Sequence, residues 1–124
     1  MDTRDAGYAH SDYIIEDITH LASGKSYTQL AAWNPGNQSF ASRARYVGNH
    51  VSVWLPTSPS FVIIAELDND GLATGRCLRT SLVKKAVFHE DEDGNVECLE
   101  IDTTNSRYLL RPCGLIVKED VYAL

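Results

Sequence analysis

Short runs of alternating apolar and polar residues, cut by turn residues, dominate the second half of this chain. Between residues 75 and 111 the order of strand and turn residues predicts a β-meander. Residues 76–81 read as extended, residues 83–88 are apolar, and residues 89–95 form an acidic turn ending in Asp93-Gly94-Asn95. Residues 96–102 alternate, with Val96 and Cys98 on one face and Glu97, Leu99 and Ile101 on the other; residues 105–111 follow after Thr103-Thr104. Asp-Gly is a strong hairpin signal, because both central positions of a tight primed turn favour positive φ.

Upstream, the spacing predicts a helix over residues 12–23. Ile14, Ile18 and Leu21 recur at four and three, Ile15 and Ala22 widen the stripe, Ser11 is a good N-cap, and Gly24 can close the last turn. Residues 26–33 fit a strand or a second short helix, and residues 38–45 are polar without a clear period. Asn34-Pro35-Gly36-Asn37 is a turn. Residues 46–55 alternate with apolar bulk on both faces, which suits a central strand or an oligomer contact. Residues 61–67 are apolar on both sides, bounded by the prolines Pro56 and Pro59 and by a turn at Asp68-Asn69-Asp70-Gly71. The expectation is a mainly β fold, a small antiparallel barrel or bent sheet, with one N-terminal helix. Its 124 residues make one domain, with residues 1–10 loosely ordered and the β-meander spanning residues 46–117. Sheet edges and two-sided strands lead to an expected homo-oligomer.

Charge changes the picture more than composition does. A net charge of −6 argues against general affinity for nucleic acid. No run approaches the roughly eighteen apolar residues of a membrane span, and the opening Met1-Asp2-Thr3-Arg4-Asp5 lacks the pattern of an export signal, so a cytoplasmic location is expected. The charges come in blocks: residues 1–20 acidic, 25–45 basic, 66–70 acidic, 76–85 basic and 90–102 acidic. Cys77, Cys98 and Cys113 read as small buried thiols in a reducing compartment, without zinc spacing.

Candidate chemistry points to binding rather than catalysis. No GxSxG elbow or phosphate-cradling glycine motif occurs, and Cys98 lies in an acidic neighbourhood that would raise its pKa. His10, His20, His50 and His89 are dispersed. His50 with Trp54 four residues later suits a pocket wall or, more ordinarily, a structural histidine. Asp91, Asp93 and Asn95 imitate a calcium loop, but the glycine comes two positions early, so a hairpin tip is the better account. No cofactor and no metal is expected. Arg76, Arg79, Arg107 and Arg111 fall on predicted strands among aromatic residues, and with Asn105 they form the candidate ligand site. Guanidinium forks beside aromatic faces suit a small nucleotide-like anion. The same residues also suit a strand face of arginines paired with acidic neighbours.

One stretch carries a family likeness. Leu78-Arg79-Thr80-Ser81-Leu82-Val83, followed by Ile101-Asp102-Thr103-Thr104-Asn105-Ser106-Arg107-Tyr108-Leu109-Leu110, resembles small phage-encoded β proteins, among them the anti-defence sponges directed against Thoeris-type immunity. The likeness covers about a quarter of the chain, within residues 78–110, and excludes residues 1–70. It implies a β-rich oligomer that sequesters a cyclic ADP-ribose signal without catalysis, with Asn105 and the adjacent arginines as carried-over ligand contacts. The rival expectation is a protein–protein interaction module, a phage structural or inhibitory protein that takes no small ligand.

Overall fold

The computed structural model describes residues 13–54 and 60–113. In chain order its elements are β1 (Tyr13–His20), β2 (Lys25–Ser26), α1 (Tyr27–Trp33), α2 (Gln38–Ala44), β3 (His50–Trp54), β4 (Ile63–Leu67), β5 (Ala73–Arg79), β6 (Val83–Glu90), β7 (Val96–Thr103) and β8 (Ser106–Pro112). The fold is mainly β, as expected, but the predicted N-terminal helix is a strand. The expectations for residues 1–10 and for the meander beyond residue 113 lie outside the described residues.

The error over residues 12–23 has a local cause. In β1, Tyr13, Ile15 and Ile18 are buried while Glu16 is exposed. Opposite β8, Ile15 pairs with Leu110 and Asp17 with Leu109, so Glu16 is an extra residue in a β-bulge. The bulge turns the two-residue repeat of a strand into a three-residue step, which imitates a helical stripe. Four β-branched residues (Ile14, Ile15, Ile18 and Thr19) favour the extended form there.

The helices come later and are short. Ser26 caps α1 in a capping box: its Oγ accepts from Gln29 N at 3.2 Å, and Gln29 Oε1 accepts from Ser26 N at 3.2 Å. Asn37 caps α2 by accepting from Phe40 N at 3.1 Å. Between them, Asn37 N donates to Asn34 O in the expected turn.

The sheet runs β5-β4-β3-β1-β8-β7-β6, with β2 paired to β1 off this path, and every pairing is antiparallel. The expected continuous meander is therefore two meanders, β3–β4–β5 and β6–β7–β8, joined by β1 in the middle. Strands β5 and β6 are consecutive in the chain yet lie at opposite ends of the order. Their three-residue connection spans at most about 14 Å, whereas seven flat strands would separate them by roughly 29 Å. The sheet must curl, and it forms a half-barrel.

The concave face holds the core: Tyr13, Ile15 and Ile18 of β1, Val51 and Val53 of β3, Ile64 of β4, Leu99 and Ile101 of β7, and Tyr108 and Leu110 of β8. Tyr27 and Leu30 of α1 pack onto it, as do Tyr46 and Val62. Strand β3 is paired on both sides, and Ser52, on the opposite face from Val51 and Val53, is only 2% exposed. Strand β3 is therefore the central strand that its two-sided pattern suggested.

Two hairpin tips share one construction. Asp68 and Asp91 each accept Oδ1 bonds from the backbone two and four residues on, at 2.8–3.1 Å. Gly71 and Gly94 follow with φ of 81° and 82°. No other residue type has positive φ among those described, so Asp93 does not adopt the primed turn expected of Asp-Gly. The left-handed step belongs to glycine alone. Asp91 Oδ1 is engaged by the turn, as at the other hairpin tip.

Candidate functional site

The arginines separate into two kinds. Along β8, Ser106, Tyr108 and Leu110 are buried, while Arg107, Leu109 and Arg111 face outward. Arg107 grips Asp102 on β7 with both arms, Nε to Oδ1 at 2.8 Å and a terminal nitrogen to Oδ2 at 3.1 Å, with Glu100 3.5 Å away. That guanidinium holds the Asp102 carboxyl below the ordinary carboxylate range. Lys85 of β6 lies 3.8 and 3.9 Å from Glu100 and Asp102, and His89 lies 3.3 Å from Glu100. Arg111 stands 3.7 Å from Glu16. These cations form a ladder across the outer face, each opposite a carboxylate.

Arg79 and Arg76 are different. Arg79, at the end of β5, stacks 4.5 Å above the exposed Phe61 ring, and neither arginine makes an ion pair among the described residues. Arg76 lies in a bulge where β5 runs from Ala73 to Cys77 against Leu67 to Ala65 of β4, with Gly75 at φ 92°. Burial, then Glu66, raises the Tyr46 phenol, with Arg76 opposing. Strand β5 is not a neighbour of β8, so Arg79 and Arg107 are not joined by strand pairing.

Asn105 links the site by another route. It sits in the β7–β8 turn, and its Nδ2 donates to Ser81 Oγ at 3.0 Å. The connection between β5 and β6 is stitched on both sides. Thr80 N donates to Val62 O at 3.0 Å, Val62 N to Thr80 Oγ1 at 2.9 Å, Val83 N to Ser60 O at 2.8 Å, and Thr104 N to Leu82 O at 3.0 Å. This seam therefore brings Arg79, Ser81 and Asn105 into one neighbourhood and leaves Arg107 and Arg111 to the ladder.

The seam has a distinct charge. Residues 71–88 contain Arg76, Arg79, Lys84 and Lys85 and no acid. Most of them are exposed, including Leu72, Leu82 and Phe88, and Phe61 lies alongside. Exposed Cys77 corrects the expectation of a buried thiol; Cys98 and Cys113 are half-buried. Burial, then Glu16 and Glu100, pushes the Cys98 thiol up, away from a reactive thiolate.

A buried polar group escaped the sequence reading. Tyr27 Oη and Ser106 Oγ lie 2.8 Å apart between α1 and β8, and the Arg43 guanidinium sits 5.5 Å over the Tyr27 ring. Tyr108 Oη and Arg43 Nε, beside them, are buried without a hydrogen-bond partner among the described residues. Burial raises the Tyr108 phenol while Arg43 draws it down. The capping box at Ser26 and Gln29 was the available clue that would have aimed α1, and hence Tyr27, at the sheet. No group of three metal-ligating side chains gathers among the described residues. No helix among them is long and apolar enough to cross a membrane. Comparison with family models, curated proteins and solved structures returns no match for this chain.

Proposed function

We propose that this is a non-catalytic binding protein that captures a small nucleotide-like anion at the β5–β6 seam. The supporting observation is an exposed lip, residues 71–88, that carries Arg76, Arg79 and Lys84 outside the ion-pair ladder, in a chain whose net charge is −6. Arg79 is its centre. Stacking on Phe61 holds the guanidinium plane, and with no ion pair to it among the described residues its N–H groups can serve a phosphate. Arg76 and Lys84 add charge nearby, and Asn105, anchored on Ser81, offers an amide to orient the ligand. The likeness of residues 78–110 to Thoeris anti-defence sponges supports a phage or mobile-element role and makes cyclic ADP-ribose isomers the first probes.

A second reading has its own observation. Among the described residues strand β5 is hydrogen-bonded on one side, to β4, and six of its seven residues are exposed. An acidic extended segment of a protein partner would add to that edge as a further strand.

A thermal-shift screen separates the two. A nucleotide at a hundredfold over its dissociation constant adds about 2.7 kcal/mol of stability. Arg79→Ala should weaken that nucleotide by about tenfold, the loss of one charge-assisted hydrogen bond, with an unchanged melting midpoint in its absence. No nucleotide response, together with Arg79-dependent binding of an acidic peptide, would transfer the site to the second reading. Failure of both would remove the seam as a binding site.

A further inference from the structure

On the other side of the chain's first hairpin lies a cleft that the seam does not involve. Its volume is about 440 Å³, and it is lined by Ser23, Lys25, Gln29, Leu30 and Trp33. That size falls within the range of small-molecule sites, roughly 300–1,000 Å³. The floor is Leu30, buried against the core, and the wall is Trp33, which is 79% exposed. An indole so exposed contributes little to this chain's own packing. Its backbone is held in place: Trp33 is the last residue of α1, Asn34 N closes the helix onto Leu30 O at 2.8 Å, and Pro35-Gly36 follows.

The polar groups in the cleft are predominantly donors. Lys25 is exposed on β2, held in register by its pairing with His20, and its ammonium makes no ion pair among the described residues. Gln29 spends its Oε1 on Ser26 N, which leaves its amide NH2 as the remaining polar group. Ser23 Oγ is committed to Lys25 N at 3.3 Å and to the His20 ring at 2.9 Å. Among the described residues no carboxylate lines the cleft. Gln29 and Trp33 are four apart on one helix face, so the amide and the indole flank the same space.

An aromatic wall, an apolar floor, one unpaired cation and one amide donor together recognise a flat ring that carries a negative charge. We propose that this cleft is a second binding site, for a small aromatic anion, separate from the β5–β6 seam.

The test uses 2-naphthoate as the probe and the Trp33 indole N–H resonance as the readout, assigned by its loss in Trp33→Phe. The expected result is a saturable shift of that resonance with 2-naphthoate. Neutral 2-naphthamide, and separately Lys25→Gln and Lys25→Glu, should bind about tenfold more weakly, the usual scale for one charge-assisted contact. Arg79→Glu should leave the titration unchanged, so failure here is distinct from failure at the seam. Retention of the folded spectrum in both Lys25 variants shows that the loss is local. The proposal is overturned if the indole does not respond saturably, or if the amide and the acid bind alike. It is also overturned if the resonance moves with protein concentration alone, which would make Trp33 a contact between copies.

Discussion

Arg107 and Arg79 look alike in the sequence and do different work. Arg107 is bound to Asp102 by two hydrogen bonds, so its loss should be felt in stability. Because the Asp102 carboxyl titrates below its ordinary range in the folded chain, the stabilisation is fully present above the unfolded carboxyl pKa. It is lost as pH falls through the depressed folded value. Arg107→Ala should therefore lower the melting midpoint at neutral pH, and the gap from the parent should narrow as pH falls below the ordinary carboxylate range. Melting curves across that range check it; a gap that is independent of pH would show that the pair contributes nothing. Tyr108 offers a contrasting case. Its hydroxyl is buried without a partner among the described residues, so Tyr108→Phe should be neutral or stabilising by up to about 1 kcal/mol. A loss of 2 kcal/mol or more would reveal a hydrogen bond through bound solvent. That Arg107 lies on a strand was legible in the sequence. Its partner was not legible, because cross-strand register depends on which strands become neighbours.

Element scale is where the sequence misled most, and β1 shows how. A strand with one bulge carries apolar residues at i and i+3, the same spacing that marks a helix face. The distinction is testable by removing Glu16, the extra residue. In a bulged strand the deletion restores strict alternation of Tyr13, Ile15 and Ile18, and the core contacts survive. The expected cost is on the order of 1 kcal/mol, the scale of an ordinary single change, including the lost pairing with Arg111. In a helix the same deletion would rotate everything before it by about 100° and split the apolar stripe. Urea unfolding of the deletion variant decides between the two: a folded protein with an unchanged m-value supports the bulge, and collapse of the transition refutes it. The hairpin tips at Asp68–Gly71 and Asp91–Gly94 were legible as turns, because Asp and Gly act there through local geometry alone. The capping box at Ser26 was equally local, and it resolves the strand-or-helix choice over residues 26–33 in favour of helix.

At the scale of the whole molecule, the open question raised by the curled sheet is what its edges do. Both edges carry cations, Arg76 and Arg79 on β5 and Lys84 and Lys85 on β6. Like charges on facing edges oppose direct pairing, a common guard against edge-to-edge association. The net charge of −6 adds a general repulsion between copies. We therefore tie the proposed homo-oligomer to screening: association should be weak at low ionic strength and rise with salt, as the Debye length shortens from about 30 Å at 0.01 M to about 10 Å at 0.1 M. An anionic ligand that neutralises the seam should have the same effect at constant salt. Light scattering after size exclusion, run at low and moderate salt with and without a bound nucleotide, measures this directly. A dimer or larger species that grows with salt supports edge association. A 13.8 kDa monomer under every condition would end it, and would leave the basic lip entirely to ligands or to a different partner. An oligomer that weakens with salt would point instead to acidic surfaces docking on the lip, and Arg79→Glu should then abolish it.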